Sequence, residues 1–202
     1  MGNEKRKDYY YRKAKSEGYS SRASYKLMQI DKKYNIFKNQ DIVLDLCCAP
    51  GSWSEFLLKK YRGIRIFGVD LQHVDLKKEN SKFFRKNIMD DDFIDFLKKK
   101  VDKEPPFLSV ILSDCAPKFG SSSTRSLDLF RQHELSMQAL ECCKELLLRG
   151  GNCVLKSFQG LPEESSILNK ALKEMFQDTF KTKPDSSRKA SPEFYYIGKR
   201  KK

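Results

Sequence analysis

The feature that most constrains the fold is the alternation of short apolar runs with stretches of helical periodicity. Five runs have strand character, and they cover residues 42–47, 65–70, 107–114, 152–158 and 194–199. Helix-like patterns cover residues 54–61, 91–100, 127–149 and 163–176. Alternating strands and helices form right-handed β-α-β units, which build a mostly parallel sheet with helices on both faces. The sequence therefore predicts an α/β fold of this kind.

Positive charge is concentrated at the two ends of the chain. The 202 residues carry a formal net charge of +13, while residues 39–180 contain equal numbers of basic and acidic side chains. Clustered Lys and Arg are typical of nucleic-acid binding. A membrane surface is the other candidate partner, and it is disfavoured because the basic ends lack a strong apolar moment. Residues 22–37 carry a helical apolar stripe, so the basic N-terminal arm is predicted to lead into an amphipathic helix packed on the domain.

The cysteine pattern and the apolar runs exclude several classes of protein. There are six cysteines but no Cys-x-x-Cys, and only two histidines, so neither a zinc site nor a redox motif is expected. The simplest interpretation is reduced, mostly buried thiols in an intracellular compartment. No run reaches the roughly 20 apolar residues that span a bilayer. The chain also lacks the apolar segment of a signal peptide, so we expect a soluble protein.

The segment VLDLCCAPGSW at residues 43–53 predicts a cofactor site. It reads as a buried strand, then a turn containing Gly51, then a helix, and this first turn is where doubly wound sheets bind nucleotide-like cofactors. The dinucleotide and phosphate-loop fingerprints are both absent. S-adenosylmethionine, which has an adenosine and no phosphates, fits one glycine together with Asp70, placed to accept ribose hydroxyls. An ordinary tight turn at Gly51 and a helix cap at Asp70 remain the alternatives.

Two further polar residues predict the chemistry. Asp114, the second residue of SDCAP (113–117), ends the predicted strand 107–114, so it should face the binding crevice. Lys156 interrupts an otherwise apolar strand, where an unpaired ammonium is costly. A lysine whose pKa is lowered by burial and neighbouring cations can act as a base for an alcohol. The alternative is a lysine whose ammonium reaches solvent at the strand end.

Five segments in order resemble the FtsJ/RrmJ family of RNA ribose 2′-O-methyltransferases over nearly the whole chain. They are SRASYKL (21–27), DLCCAPGSWS (45–54), LSDCAPKFG (112–120), GGNCVLKSFQG (150–160) and KPDSSRKASPEFYYI (183–197). The resemblance implies a Rossmann-like fold with a mostly parallel seven-stranded sheet. It also implies an enzyme that depends on S-adenosylmethionine. Residues 1–38 then form the basic arm and amphipathic helix, and residues 39–202 the methyltransferase domain, in a single structural unit.

The resemblance also implies roles for individual residues. The family's catalytic tetrad falls on Lys26, Asp114, Lys156 and Glu193, with Lys156 as general base for the ribose 2′-hydroxyl. The family's cofactor contacts fall on Gly51, Trp53, Asp70 and Asp114. Asn87 stands where the family usually has an aspartate that faces the adenine, and its amide oxygen can still accept a hydrogen bond. No metal is expected.

The substrate implied by the resemblance is RNA. The KPDSSR and EFYYI segments resemble the enzymes of large-subunit ribosomal RNA, whereas the opening KDYYYRKAKSEGYSSRASYKL also resembles the branch that modifies the tRNA anticodon loop. A non-catalytic RNA-binding or ribosome-assembly factor on the same fold is the competing class. Six of the nine tyrosines lie among the basic residues before position 39, where some are expected to stack on unpaired bases. We expect a monomer in the cytoplasm, nucleus or an organelle.

Overall fold

The computed structural model describes residues 2–101, 107–117 and 124–202. In these ranges seven strands form one sheet in the order β3-β2-β1-β4-β5-β7-β6. The strands are β1 (Ile42–Leu46), β2 (Arg65–Asp70), β3 (Ser81–Arg85), β4 (Leu108–Ser113), β5 (Leu147–Phe158), β6 (Phe176–Thr182) and β7 (Glu193–Lys201). The helices are α1 (Gly2–Ser16), α2 (Ser24–Tyr34), α3 (Ser52–Lys60), α4 (Phe93–Val101), α5 (Arg125–Leu146) and α6 (Pro162–Met175).

The strand directions confirm the predicted fold class. The pairs β1–β2, β2–β3, β1–β4 and β4–β5 are parallel, and only β7 runs antiparallel to its neighbours β5 and β6 among the described strands. The result is the Rossmann-like methyltransferase sheet that the resemblance implied. β1 and β4 lie in its middle, so their carboxyl ends form the floor of a crevice.

The apolar core lies on both faces of the sheet. Successive residues of a strand point to opposite faces, and β1 accordingly places Leu44 in one buried cluster and Val43 in the other. Helices α4, α5 and α6 cover the first cluster. Helices α2 and α3 cover the second, where α2 contributes Leu27 and Ile30, which are at most 1% exposed. Helix α2 is thus packed on the sheet as its apolar stripe predicts.

The long helix differs from its prediction at both ends. It begins at Arg125 and ends at Leu146, whereas the predicted pattern covers residues 127–149, and β5 begins at Leu147. Leu127 and Phe130, two apolar residues near the start of that pattern, are 42% and 48% exposed. The buried apolar side chains of α5 lie in its later turns, whereas its earlier turns bury polar side chains against the sheet. Among the described helices, none combines the length and apolar character needed to cross a membrane.

Candidate active site

Gly51 forms the turn between β1 and α3 in a conformation that disfavours other residues. Its φ is 108°, in the left-handed region, and it is the residue immediately before α3. A Cβ added there would lie 3.2 Å from Cγ1 of Val74. The Gly51 amide donates to the carbonyl of Cys48 at 2.7 Å, which closes the turn tightly. A tight turn without a side chain is what the predicted cofactor site requires, and the cofactor contact itself stays a prediction.

Asp70 ends β2 beside this turn. Its Oδ2 accepts a hydrogen bond from the Ala49 amide at 2.9 Å, and its Oδ1 accepts one from the Gln72 amide at 2.7 Å. These bonds fix the carboxylate across the turn that contains Gly51. Since a carboxylate oxygen can accept more than one hydrogen bond, both oxygens can still receive hydroxyl donors. Asp70 is thus placed to hold a diol next to the Gly51 backbone.

Asp45, inside β1, is a buried acid to which the sequence gave no role. It is 1% exposed, and Oγ of Ser54 donates to its Oδ2 at 2.7 Å. Burial raises the pKa of Asp45 to about 7, with further increases from the charges of Asp114 and Asp70. The site therefore contains three neighbouring carboxyl groups, one of which can be neutral near physiological pH.

Asp45 should make the free energy of unfolding depend on pH. Its pKa is about 7 in the folded chain and about 4 when unfolded, so the folded state binds the extra proton between these values. Stability is therefore lost as pH rises from about 4 to about 7, by up to about 4 kcal/mol. We expect Asp45→Asn to remove this dependence. Urea unfolding of both proteins at about pH 5 and about pH 8 measures this dependence. If the free energies of unfolding of wild type and variant differed by the same amount at both pH values, the assignment would be contradicted.

Lys156 and Asp114 form a buried ion pair at the carboxyl ends of β4 and β5. The Nζ of Lys156 lies 3.2 Å from Oδ1 of Asp114, and it also donates to the Asp114 carbonyl oxygen. The hydroxyl of Tyr195 donates to the same Oδ1 at 2.7 Å. Although burial alone would raise the pKa of Asp114, Lys156, Lys26 and the Tyr195 hydroxyl hold it below its usual value. Asp114 is therefore ionised and can hold an ammonium or amine in place.

Lys26 and Glu193 form a second ion pair next to the first. The Nζ of Lys26 lies 2.8 Å from Oε1 of Glu193, and both side chains are mostly buried. The same Nζ lies 5.9 Å from the centre of the Tyr195 ring. The four residues of the predicted tetrad are therefore brought together as two ion pairs, with Tyr195 in contact with both. They come from α2, the end of β4, β5 and β7.

The side chains around the tetrad include three that sequence reasoning missed. Tyr195 is fully buried, and burial, with the charges of Asp114 and Glu193, raises its pKa. Gln132 and Ser136 on α5 donate from Nε2 and Oγ to the carbonyl oxygen of Lys156, at 3.1 and 2.9 Å. Both are 1% exposed. The only sequence signal for Gln132 and Ser136 is that two polar residues lie four positions apart on a predicted helix.

Trp53 and Asn87 lie in different surroundings from the four charged residues. The Trp53 ring is buried against Tyr195, and its indole N–H donates to the Ala23 carbonyl at 2.8 Å. This side chain is core, so only its main chain is left for a cofactor contact. Asn87 follows β3, where its Oδ1 accepts from the Met89 amide at 3.1 Å. Its role toward an adenine stays a prediction.

The tyrosines of the N-terminal segment divide into exposed and packed side chains. Tyr9 and Tyr11 on α1 are 54% and 58% exposed. Tyr25 is buried, and its hydroxyl donates to Oε2 of Glu17 at 2.7 Å. Tyr9 and Tyr11 are therefore the members of this group that are most open to a partner.

The expectation of six reduced thiols is wrong for two of them. Cys47 and Cys115 form a disulfide, whereas Cys48, Cys142, Cys143 and Cys153 are free and buried. The two partners are 68 residues apart in sequence but follow neighbouring strands, and their Cα atoms are 5.0 Å apart. Adjacent strand ends bring together cysteines that no spacing motif connects. The flexible loop predicted at residues 120–123 lies outside the described residues.

The chain is similar to known proteins over almost its whole length. The family profile of FtsJ-like methyltransferases matches residues 19–201. The chain is 40% identical to ribosomal RNA large subunit methyltransferase E of Methanothermobacter thermautotrophicus, over 97% of this chain and 90% of that one. It is 36% identical to the protein of the same name from Bdellovibrio bacteriovorus, over 97% of each chain.

A solved structure extends the similarity to the fold. A crystal structure of a Plasmodium falciparum protein described as a ribosomal RNA methyltransferase superposes with a TM-score of 0.75 at 30% identity. The superposition covers 91% of this chain and 98% of that one. Sequence, sheet order and the family profile agree over almost the same residues. The chain therefore belongs to the FtsJ-like methyltransferase family.

Proposed function

We propose that the protein transfers a methyl group from S-adenosylmethionine to the 2′-hydroxyl of a ribose in large-subunit ribosomal RNA, with Lys156 as general base. The observation that carries this proposal is the Lys156–Asp114 ion pair, 3.2 Å long and mostly buried, at the carboxyl end of β4, the strand that pairs with β1. The names of the relatives from Methanothermobacter and Bdellovibrio support ribosomal RNA as the substrate.

The residues around the Gly51 turn fit S-adenosylmethionine. Gly51 has a positive φ and no side chain, so an adenosine or methionine moiety bound at this turn would meet main-chain atoms. Asp70 offers two carboxylate oxygens for the ribose diol, and Asp114 and the main chain of Trp53 border the same crevice. Asn87 follows β3, the neighbour of β2, and its amide would face the adenine. When bound, the cofactor supplies an electrophilic methyl group.

The tetrad can prepare the hydroxyl for this transfer. A ribose hydroxyl is a poor nucleophile until its proton is removed, and a neutral Lys156 amine can accept that proton. Asp114 holds Nζ of Lys156 at the strand end, and Tyr195 holds the Asp114 carboxylate in turn. Lys26 adds positive charge next to Asp114, while Glu193 fixes the Lys26 ammonium. Gln132 and Ser136 hold the main chain of Lys156 from the opposite side.

The two basic ends of the chain meet at this site. Oε1 of Gln29 on α2 accepts hydrogen bonds from the amide and hydroxyl of Ser186, both at 3.0 Å. Burial, followed by the charge of Arg188, lowers the pKa of Arg22, and the charge of Glu193 opposes this shift. Such clustered cations suit the phosphates that flank a target ribose. Residues 1–38 would supply the RNA-binding arm, with Tyr9 and Tyr11 exposed on it.

Methylation assays on purified RNAs test the substrate. We expect methyl transfer to large-subunit ribosomal RNA, or to a particle that contains it, at one nucleotide whose 3′ linkage becomes resistant to alkaline hydrolysis. That resistance is the chemical mark of a blocked 2′-hydroxyl. Transfer to the tRNA anticodon loop alone would contradict the ribosomal substrate. Methylation of a base would contradict the ribose as the acceptor.

A further inference from the structure

The disulfide between Cys47 and Cys115 joins the two central strands where the candidate cofactor crevice begins. Cys47 follows β1 and Cys115 is the second residue after β4, and these strands are parallel, with Leu46 opposite Ser113. Because the two strands leave the sheet side by side, the Cα atoms of Cys47 and Cys115 lie 5.0 Å apart. This separation lies within the range that a disulfide requires.

The crosslink touches both halves of the crevice. Cys115 directly follows Asp114, the partner of Lys156. Cys47 lies two residues before Ala49, whose amide holds the Asp70 carboxylate at 2.9 Å. If the two strand ends could move relative to each other, the turn at Gly51 and the Asp70 carboxylate beside it would therefore move as well.

The two cysteine residues differ in exposure. Cys115 is fully buried, whereas Cys47 is partly exposed. The neighbouring Cys48 is buried and free, and burial raises the pKa of its thiol, with further increases from Asp45 and Asp70. Thiol–disulfide exchange needs a thiolate and an open path to the sulfur. Cys47 is thus the position that an external reagent reaches first, with Cys115 as the resolving partner.

We infer that Cys47 and Cys115 form a reversible redox modification site that sets the affinity of the crevice for its cofactor. The inference on affinity rests on the cofactor site of the proposed function. Disulfides in reducing compartments are usually transient and redox-sensing. In such a compartment, the Cys47–Cys115 bond between the ends of the two central strands would belong to this class.

The reaction partner is a low-molecular-weight disulfide such as oxidised glutathione. The Cys47 thiolate attacks one sulfur of the reagent, forming a mixed disulfide and releasing one thiolate, which takes up a proton. The Cys115 thiolate then attacks the Cys47 sulfur, forming the crosslink and releasing the second thiol. The protein loses two electrons and two protons, and the reagent gains both. An excess of reduced thiol reverses the steps through attack on Cys47.

The crosslinked form should bind the cofactor more tightly. Without the bond, the turn at residues 47–51 and the segment after Asp114 move independently, and binding must order both of them. With the bond, much of that order is present before binding, and preorganisation of this kind raises affinity. We expect reduction to weaken binding by about fivefold.

Peptide mapping tests the crosslink itself. Protein incubated with oxidised glutathione is alkylated, digested with trypsin and analysed by mass spectrometry without reduction. We expect a linked pair of peptides containing residues 47 and 115 in the wild type and in Cys48→Ser, the matched control from the same peptide. The link should be lost in Cys47→Ser. Absence of the link from the wild type, or its survival in Cys47→Ser, would overturn the inference.

Calorimetric titration with S-adenosylhomocysteine tests the control of affinity. Oxidised wild-type protein should bind about fivefold more tightly than the same protein in dithiothreitol. Cys47→Ser should match the reduced wild type in both conditions, and Cys48→Ser should keep the response. Equal affinities in the two redox states would overturn the redox inference and leave the proposed cofactor site intact. If neither state binds, with a signal no greater than that of Asp70→Ala, the proposed cofactor site itself is contradicted.

Discussion

Lys156→Ala should lower the turnover number for RNA methylation by about 1,000-fold while cofactor and RNA binding are retained. General bases typically contribute 100-fold to 10,000-fold to a rate, and the buried Nζ of Lys156 is the only amine paired with Asp114 among the described residues. Removing it leaves no group at this strand end to accept the hydroxyl proton. Single-turnover assays at saturating RNA and cofactor measure the loss directly.

Two control variants distinguish the loss of a base from the loss of a charge. Lys156→Arg keeps a cation for Asp114, but a guanidinium does not deprotonate near neutral pH, so this variant should be as slow as Lys156→Ala. Lys170→Ala removes an exposed lysine on α6 and should leave the rate unchanged. Full activity in Lys156→Arg would exclude Lys156 as the base and leave it an electrostatic role only.

Asp114→Ala should lower the free energy of unfolding by about 3 kcal/mol in addition to abolishing methyl transfer. The substitution leaves the Lys156 ammonium buried without its carboxylate, and it deprives the Tyr195 hydroxyl of its acceptor. Removing one member of a buried pair is costly because the other is left uncompensated. Urea unfolding followed by circular dichroism measures the change.

Two further substitutions serve as comparisons. The first separates the charge of Asp114 from its hydrogen bond, and the second is a control at a surface ion pair. Asp114→Asn keeps an acceptor for Tyr195, so we expect a smaller loss of stability with the same loss of activity. Asp92→Ala breaks the ion pair with Lys86 on the surface, where water screens the charges, and should leave stability nearly unchanged. A wild-type unfolding curve for Asp114→Ala would show that the Lys156–Asp114 pair is not buried as described.

The strands that were predicted from the sequence are those with long apolar runs. β1, β4 and the later part of β5 lie in the middle of the sheet, where both faces are covered and every residue tends to be apolar. β3 and β6 were missed because they form the two edges, and SKFFR and FQDTFKT each contain only two apolar residues, which do not alternate with polar ones. Neither pattern is distinct from that of a loop or a helix end.

The candidate site divides in a similar way. Gly51, Asp70, Asp114 and Lys156 stand out because each is a polar or small residue at the end of an apolar strand. Tyr195 does not, because an aromatic residue within FYYI is indistinguishable from core until its hydroxyl is seen on Asp114. The pairing of Lys26 with Glu193 joins positions 167 residues apart, which no local pattern connects; only the family resemblance brought them together.

The position of β7 has a consequence for how the protein folds. β7 follows all the other strands in sequence but lies between β5 and β6, so β6 has no described strand to pair with until β7 arrives. A chain that emerges from the ribosome as far as α6 leaves one edge of β5 unpaired, and such edges are prone to aggregation. Because β7 also carries Glu193 and Tyr195, the strand that closes the sheet completes the tetrad in the same step. The closing of the sheet and the assembly of the tetrad are therefore expected in one step, once β7 has been synthesised.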